Sequence, residues 1–399
     1  MAASFRPPVR AGAGDDGPRL ADIFRRHGPR LLADDRLSPR RHRVLQTILK
    51  CRTAALGGHL YVCDRCGHRV PVYNSCRNRH CPTCQSLDQA RWIAARTERL
   101  LPVGHHHVVF TLPAQLRPLA RRHPRQVYGA LFTAASRTLE LLAKDVLGAR
   151  LGITAVLHTW TRTLDFHPHL HCIVTAGGLA LDGSRWVERT RYLFHVDRMK
   201  AVFRGRLLAE LQRLHRGNDI VLDGDEYDAD AWGRLVRALP PPGKWVVYVQ
   251  PPFSRSTHVV KYLGRYTHRV GISDARLIAA DDRGVTFRTH GDDHITLPPD
   301  VFLRRFLQHV LPRAFHKIRH FGLYSSAHQR PDSGLWRRAR DLIAAPDTDP
   351  LDPPPDTDTD TDALALLHAL TGIDPLQCPA CERGRLHPRP LPRPRARAP

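Results

Sequence analysis

Apolar positions along this chain recur with two periods. Between residues 19 and 50 the spacing is helical: Leu20, Ile23, Phe24, Leu31 and Leu32 form one stripe, and Val44, Leu45, Ile48 and Leu49 form a second in an arginine-rich setting. From about residue 105 strand-like and helix-like stretches alternate. The pattern predicts a strand over His107 to Leu112, a helix from about Ala114 to Lys144, and strands over Ile153 to Trp160 and His169 to Thr175. A helix near Asp197 to His215 and a strand over Trp245 to Gln250 follow. That order, βαββαβ, is the split βαβ: it predicts an α+β catalytic domain with a ferredoxin-like sheet whose two middle strands lie side by side. Pro251 and Pro252 end the last strand, and Ser254 or Ser256 can cap a helix running to about His268. Beyond it, Ile272 to His290 reads as a hairpin turning near Ala279 to Gly284, and Asp300 to Val310 as an amphipathic helix.

One predicted strand carries chemistry. In Phe166-His167-Pro168-His169-Leu170-His171-Cys172-Ile173-Val174 the histidines alternate, and side chains two apart on a strand share a face, so His169 and His171 stand together. A turn near Thr163 to Phe166 would place His158 roughly across from His171 as a third ligand. His167 has the same parity as His169 and is the rival third ligand, although it adjoins Pro168, where ladder pairing is interrupted. Such a trio can hold one cation. Imidazoles alone would suit zinc, whereas phosphodiester cleavage commonly uses Mg²⁺ or Mn²⁺. The run His105, His106, His107 reads equally well as compositional bias in a chain with 25 histidines.

The cysteines form a second constellation. Cys63-Asp64-Arg65-Cys66 and Cys81-Pro82-Thr83-Cys84 are two Cys-x-x-Cys knuckles at zinc-ribbon separation, and a structural Zn²⁺ held by those four is the simplest assignment. Cys51, His59, Cys76 and His80 are left as a second tetrahedral set, and swapped groupings are equally allowed. Arg77, Arg79, Arg91 and Arg96 surround the knuckles and suit a DNA-reading head. Far downstream, Cys378-Pro379-Ala380-Cys381 is half of a further zinc site, to be completed by His387 or by ligands from elsewhere in the fold.

Composition narrows the partner. A net charge of +23 on 399 residues predicts a polyanion, with nucleic acid ahead of an anionic membrane surface. No run of about 18 apolar residues occurs, and the first residues lack a signal-peptide apolar centre, so a cytoplasmic protein, on the nucleoid when bound to DNA, is expected. Leu311 to Arg330, with Arg313, Lys317, Arg319 and Phe321, reads either as a single-strand contact surface or as an ordinary amphipathic helix. Met1 to Pro18, the acidic proline-rich stretch Pro346 to Asp362, and Arg383 to Pro399 are expected to be disordered.

Within the predicted helix after Pro252, Tyr262 and Tyr266 lie four residues apart and face one way beside Lys261, Arg265 and Arg269. A phenol with a pKa near ~10 is a poor nucleophile at neutral pH unless a metal and cations assist it. With that help a tyrosine can attack a phosphodiester in line, releasing a 3′ hydroxyl and keeping the 5′ phosphate. A second tyrosine permits a second cleavage before the first link is resolved, as moving a strand requires.

Three stretches, CRTAALGGHLYVCDRCGHRVPVYNSCRNRHCPTC, LHTWTRTLDFHPHLHCIVTAGGL and KYLGRYTHRVGIS, together resemble the two-tyrosine HUH rolling-circle transposases of the insertion sequence ninety-one family. The resemblance extends over most of residues 50 to 330. It implies a fused zinc-binding region and a catalytic domain that nicks single-stranded DNA without ATP, with His169 and His171 as Mg²⁺ or Mn²⁺ ligands and Tyr262 and Tyr266 as nucleophiles. The chain then divides into a disordered 1–18, a helical and zinc-binding 19–100, a catalytic 101–330, and 331–399 with linker, knuckle and basic tail. A replication initiator or relaxase would use the same chemistry on an origin; a zinc-dependent regulator that binds DNA without cutting it leaves the histidines and the tyrosine pair unused.

Overall fold

In the computed structural model the described residues are 17–34, 37–84, 99–191, 193–222, 230–253, 271–328, 334–343, 368 and 372–393. The stretch Met1 to Pro18 apart from its last two residues, the acidic stretch Pro346 to Asp362, and the predicted helix from Ser254 to His268 lie outside them. In chain order the main elements are helices α1 (Leu20–Leu32) and α2 (Pro39–Leu49), strands β1 (Gly58–Cys63), β2 (Arg69–Tyr73) and β3 (His105–Thr111), and helix α3 (Pro124–Leu142). Strands β4 (Gly152–Trp160) and β5 (Phe166–Thr175), helix α4 (Val196–Arg216), strand β6 (Val247–Phe253) and helix α5 (Pro299–Leu307) follow. The remainder are β7 (Ile318–Gly322), α6 (Gly334–Ile343) and β8 (Leu386–Leu391).

The central sheet has the order β7-β4-β5-β3-β6, and every neighbouring pair is antiparallel. Alternation gives it two unlike faces. On one face Phe110, Leu157, Leu170, Cys172 and Val174 meet α3 and α4 in the main core. Helix α4 forms because Met199, Phe203, Leu207, Leu211 and Leu214 make a single buried stripe at helical spacing. Phe203 packs with its ring centroid 4.9 Å from Phe110 and 5.6 Å from Trp245. The expected long helix from Ala114 is broken before α3: Pro124 lacks an N–H and its ring forces His123 out of helical conformation, to φ −120° and ψ 58°.

One end of the opposite face is covered. There Tyr324, Leu100, Leu101 and Ala339 of α6 pack on Val156 and Ile173. Gly152 makes this possible, because a Cβ there would stand 2.9 Å from the Tyr324 ring. The Tyr324 hydroxyl in turn bonds His105 Nε2 at 2.8 Å and accepts the Leu101 N–H at 3.1 Å.

A second core joins α1 and α2 to α5 and to a three-stranded meander, Leu277–Ala280, Val285–Arg288 and His294–Leu297, where a two-stranded hairpin was expected. Phe24 and Phe306 meet edge to face at 5.4 Å within it. Into this core goes Leu164, the tip of the β4–β5 turn, fully buried in a left-handed conformation at φ 63°. Its carbonyl accepts from Gln308 Nε2 at 2.8 Å and His309 Nε2 at 3.1 Å, and the Thr163 carbonyl accepts from Arg305 at 3.0 Å.

Two further expectations need correction. Of the two readings of Leu311 to Arg330, the amphipathic helix is not what forms: as far as His328 the stretch runs as a loop into the edge strand β7 and on into turns, and Phe315 is buried. Guanidinium groups from three separate segments grip that loop, with Arg40 donating to the Leu311 carbonyl, Arg125 to that of Arg313, and Arg79 to that of Phe315 at 2.8 Å. Nor is the whole of Arg383 to Pro399 unstructured, since β8 pairs with β1 in register from Cys63↔Leu386 to Gly58↔Leu391 and so finds partners for its backbone groups.

Leu164→Ala empties a side-chain volume from the second core and should cost about 2–5 kcal/mol in chemical denaturation; an unchanged midpoint would show that the tip is not anchored there. Lys317 is buried, and desolvation, reinforced by Arg79, pushes its pKa down to about 7. The unfolded chain, with a lysine pKa near ~10.4, then binds more protons between those two values, so Lys317 costs stability increasingly as pH falls through that window and by a constant amount below it. Lys317→Met should therefore raise the melting temperature at pH 7 and reduce the rise of stability with pH above it.

Candidate active site and metal centres

The histidines gather at the other end of this face. Strands β4 and β5 pair with His158 directly opposite His169, while Val156 stands opposite His171, so the third histidine sits one pair away from the position expected from the turn. The ring nitrogens of His158, His169 and His171 available for ligation lie within 4.8 Å of one another. His169 Nε2 and His171 Nε2 are 3.0 Å apart, and the His158 ring centroid is 4.4 Å from that of His171. Two ligands at ~2.1 Å from one cation, at right angles, would be separated by about 3.0 Å. His158 is buried and stacks on Trp160 at 4.6 Å, which fixes its ring. His167 lines the same cleft, but its Nδ1 accepts from Arg117 at 2.7 Å and it stands outside the trio.

Hydrogen bonds around the trio select the ligating tautomer. His169 donates from Nδ1 to the His167 carbonyl at 2.6 Å, leaving the lone pair on Nε2. His171 Nδ1 bonds His107 Nε2 at 2.8 Å, and His107 Nδ1 bonds the Gln250 side-chain oxygen at 2.9 Å. With that oxygen accepting, each imidazole in the relay points its proton outward, and His171 Nε2 keeps its lone pair on the side of His169 Nε2. Burial pushes His169 down to about 4, His171 well below the usual imidazole range, and His107 down as well, so all three are neutral at pH 7, the form a metal needs. His107 is the residue that sequence reasoning missed. Its one available signal was parity with His105 and His171, which becomes informative only when the β3–β5 register, Val109↔His171, is known.

A cleft of about 590 Å³ opens over the trio. Its lining includes Arg162, Arg276 and Arg288, and also Gly271, Ile272 and Ser273. Arg162 donates to the Thr289 carbonyl at 3.0 Å and Arg276 to the Arg162 carbonyl at 2.5 Å, which tie the meander to the histidine hairpin. Tyr262, Tyr266, Lys261, Arg265 and Arg269 lie outside the described residues, in the stretch between β6 and Gly271.

The cysteine grouping differs from the simplest one. Cys51, Cys76, Cys81 and Cys84 form one quartet, and Cys63 and Cys66 meet Cys378 and Cys381 in another. The reason is β1: it carries Cys63 away from the second knuckle and toward β8. In the first quartet Cys51–Cys84, Cys76–Cys84 and Cys51–Cys81 sulfur distances are 3.4, 3.6 and 3.7 Å. Hydrogen bonding with Cys51 and the other two thiols pulls the Cys84 thiol down and pushes Cys81 up, because the sulfur that accepts is stabilised as thiolate and the one that donates keeps its proton. His59 and His80 belong to neither quartet. His80 has both ring nitrogens engaged, Nδ1 with Asn78 Oδ1 at 2.9 Å and Nε2 accepting the Leu311 N–H at 3.2 Å, and burial pushes its pKa to about 3. His59 sits within β1, paired with Val72 and Pro390. His387, the other possible ligand, pairs with Asp64 at 3.5 Å.

Comparison with known proteins bears on both constellations. Residues 152–331 match a family model described as "Putative transposase", and residues 23–112 match one described as "Transposase zinc-binding domain" of the IS91 type. The chain is 41% identical over 382 residues to "Putative transposase y4qJ" of Sinorhizobium fredii (strain NBRC 101917 / NGR234), covering 93% of this chain and 94% of that protein. It is 33% identical over 296 residues to "Transposase for insertion sequence element IS801" of Pseudomonas savastanoi pv. phaseolicola, covering 70% and 69% respectively. No solved structure matches.

Gln250→Leu keeps the volume but removes the acceptor that ends the relay. Mn²⁺ affinity measured by calorimetry should fall by roughly 10–100-fold in this variant, and binding should vanish in His169→Ala/His171→Ala; equal affinity in Gln250→Leu would remove the relay from the account.

Proposed function

This chain belongs to the IS91 family of insertion-sequence transposases with an N-terminal zinc-binding domain, and from that premise we propose that it nicks and rejoins single-stranded DNA at element ends through a 5′-phosphotyrosine link. The observation that carries this reading is the trio His158, His169 and His171 beneath a cleft whose lining includes Gly271 to Ser273, which follow directly in sequence on the stretch bearing Tyr262 and Tyr266. The strand order β7-β4-β5-β3-β6, with α3 and α4 on one face, supports taking the sheet as the ferredoxin-like split βαβ of an HUH endonuclease extended by the edge strand β7.

A divalent cation held by the trio, Mg²⁺ or Mn²⁺, would polarise a non-bridging phosphate oxygen and offset the charge developing at phosphorus. The cleft arginines, Arg162, Arg276 and Arg288, orient the same phosphate. Tyr262 or Tyr266 gives its phenolic proton to solvent as its oxygen bonds to phosphorus. The bond from phosphorus to the 3′ oxygen breaks, and that oxygen takes up a proton and leaves as a hydroxyl. Attack by another strand's 3′ hydroxyl reverses the exchange, restores a phosphodiester and frees the tyrosine. Lys261, Arg265 and Arg269 neutralise backbone charge beside the nucleophiles. Zn²⁺ in the Cys51, Cys76, Cys81 and Cys84 quartet has a structural role, holding the end of α2 to the knuckle.

Purified protein incubated with single-stranded element ends and Mn²⁺ should form a covalent adduct on a denaturing gel. Tyr262→Phe and Tyr266→Phe should each change its yield, and the double variant and His169→Ala/His171→Ala should abolish it. Binding of the ends without nick or adduct, in Mg²⁺ and in Mn²⁺, would instead favour a zinc-dependent DNA-binding regulator.

A further inference from the structure

We infer that Cys63, Cys66, Cys378 and Cys381 hold a second zinc ion, which fastens the segment around residues 372–393 to the zinc-binding domain. Two Cys-x-x-Cys knuckles face each other, with Cys63 Sγ 3.7 Å from Cys381 Sγ and Cys66 Sγ 3.7 Å from Cys378 Sγ. Sulfurs at ~2.3 Å from a tetrahedral zinc lie about 3.8 Å apart, whereas a disulfide requires ~2.05 Å. All four ligand atoms fall within 4.8 Å of one another.

The backbone of each knuckle is shaped for thiolates. The Arg65 N–H points at Cys63 Sγ at 3.4 Å, the His68 N–H at Cys66, and the Arg383 and Gly384 N–H groups at Cys381. The residue after the second cysteine is left-handed in both, Gly67 at φ 70° and Glu382 at φ 55°, which turns the following amides toward sulfur. The first quartet repeats the device at Arg52, φ 54°, and Arg77, φ 50°, directly after Cys51 and Cys76. Three of the six non-glycine residues with positive φ among the described residues therefore follow a cysteine of these quartets.

Approach of the two knuckles is close enough to fix a residue type. A Cβ on Gly384 would stand 2.4 Å from Cys63 Sγ and 2.8 Å from Asp64 Oδ1. Asp64 seals the contact: its N–H donates to the Arg385 carbonyl at 3.1 Å, and its Oδ1 accepts the Arg385 N–H at 2.8 Å. Apolar burial here is slight, with Tyr61, Cys63, Cys378 and Leu386 the fully buried members of the cluster. A module this small requires a metal or cross-link to hold its shape. The zinc-binding match at residues 23–112 contains half of this second ligand set, and the other half arrives from more than 300 residues downstream.

The test counts metal in the full chain purified under reducing conditions. Native mass spectrometry and elemental analysis should give two zinc ions per chain, falling to one in Cys378→Ser/Cys381→Ser. Gly384→Leu, which leaves every cysteine in place, should lose the same single ion and expose the segment around residues 372–393 to limited proteolysis. Cobalt substitution keeps the result independent of folding losses: two equivalents should develop thiolate-to-cobalt absorption in the wild type and one in each variant. A single zinc in the wild type, two retained in the double serine variant, or Cys63–Cys381 and Cys66–Cys378 disulfides in place of metal would overturn the inference.

Discussion

Strand β5 has to satisfy two environments at once, and the strict alternation of its side chains is what allows it. Leu170, Cys172 and Val174 are committed to the helices on one face, which holds His167, His169 and His171 on the other. A slip of one residue in the β4–β5 register would bury imidazoles under α3 and α4 and expose the leucine, so the price of mispairing is the main core itself. The register is pinned from outside the sheet as well: Leu164, at the turn, is locked into the second core and its carbonyl is doubly bonded by α5 and the residues after it. The site's geometry thus depends on packing on both sides of the hairpin that carries it.

The second core also explains how the zinc-binding part and the sheet act as one body. Cys51 and Cys81 are buried among the same side chains as Leu164, Ile272 and Phe306, so the first quartet and the floor of the cleft share a foundation. The loop at Leu311 to Phe315 adds a polar version of the same link, where Arg79 and His80 from the knuckle region reach its two ends. Part of the large positive charge is therefore spent on structure. Arg40, Arg79 and Arg125 bind carbonyls, and Arg319 lies over the Phe132 ring at 4.4 Å.

Much of the sheet was legible because its signals are local. The βαββαβ order follows from runs of alternating and helical periodicity, and His169 and His171 follow from parity on one strand. What could not be read was set by pairing between distant segments. His107 enters the site through the β3–β5 register, β7 joins the sheet from beyond residue 310, and Cys378 meets Cys66 across 312 residues. The same nonlocality regrouped the cysteines: His59 and His80 have ligand spacing along the chain, but the fold gives His80 two other partners and places His59 in a strand. Arg79 and Leu311 to Phe321 look like nucleic-acid contacts by composition, and the structural work of Arg79 and the burial of Leu311, Phe315 and Lys317 are visible only once the loop is seen to be gripped from three sides.

The pairing of β8 with β1 has a temporal side. Translation delivers Cys63 and Cys66 312 or more residues before Cys378 and Cys381, so their knuckle waits with half of its partners missing while the residues between are made. The zinc-binding region accordingly matures in two stages. The first belongs to the growing chain, and the second only to a chain that has been read through to its distal knuckle, which makes this contact a built-in marker that the knuckle has been made.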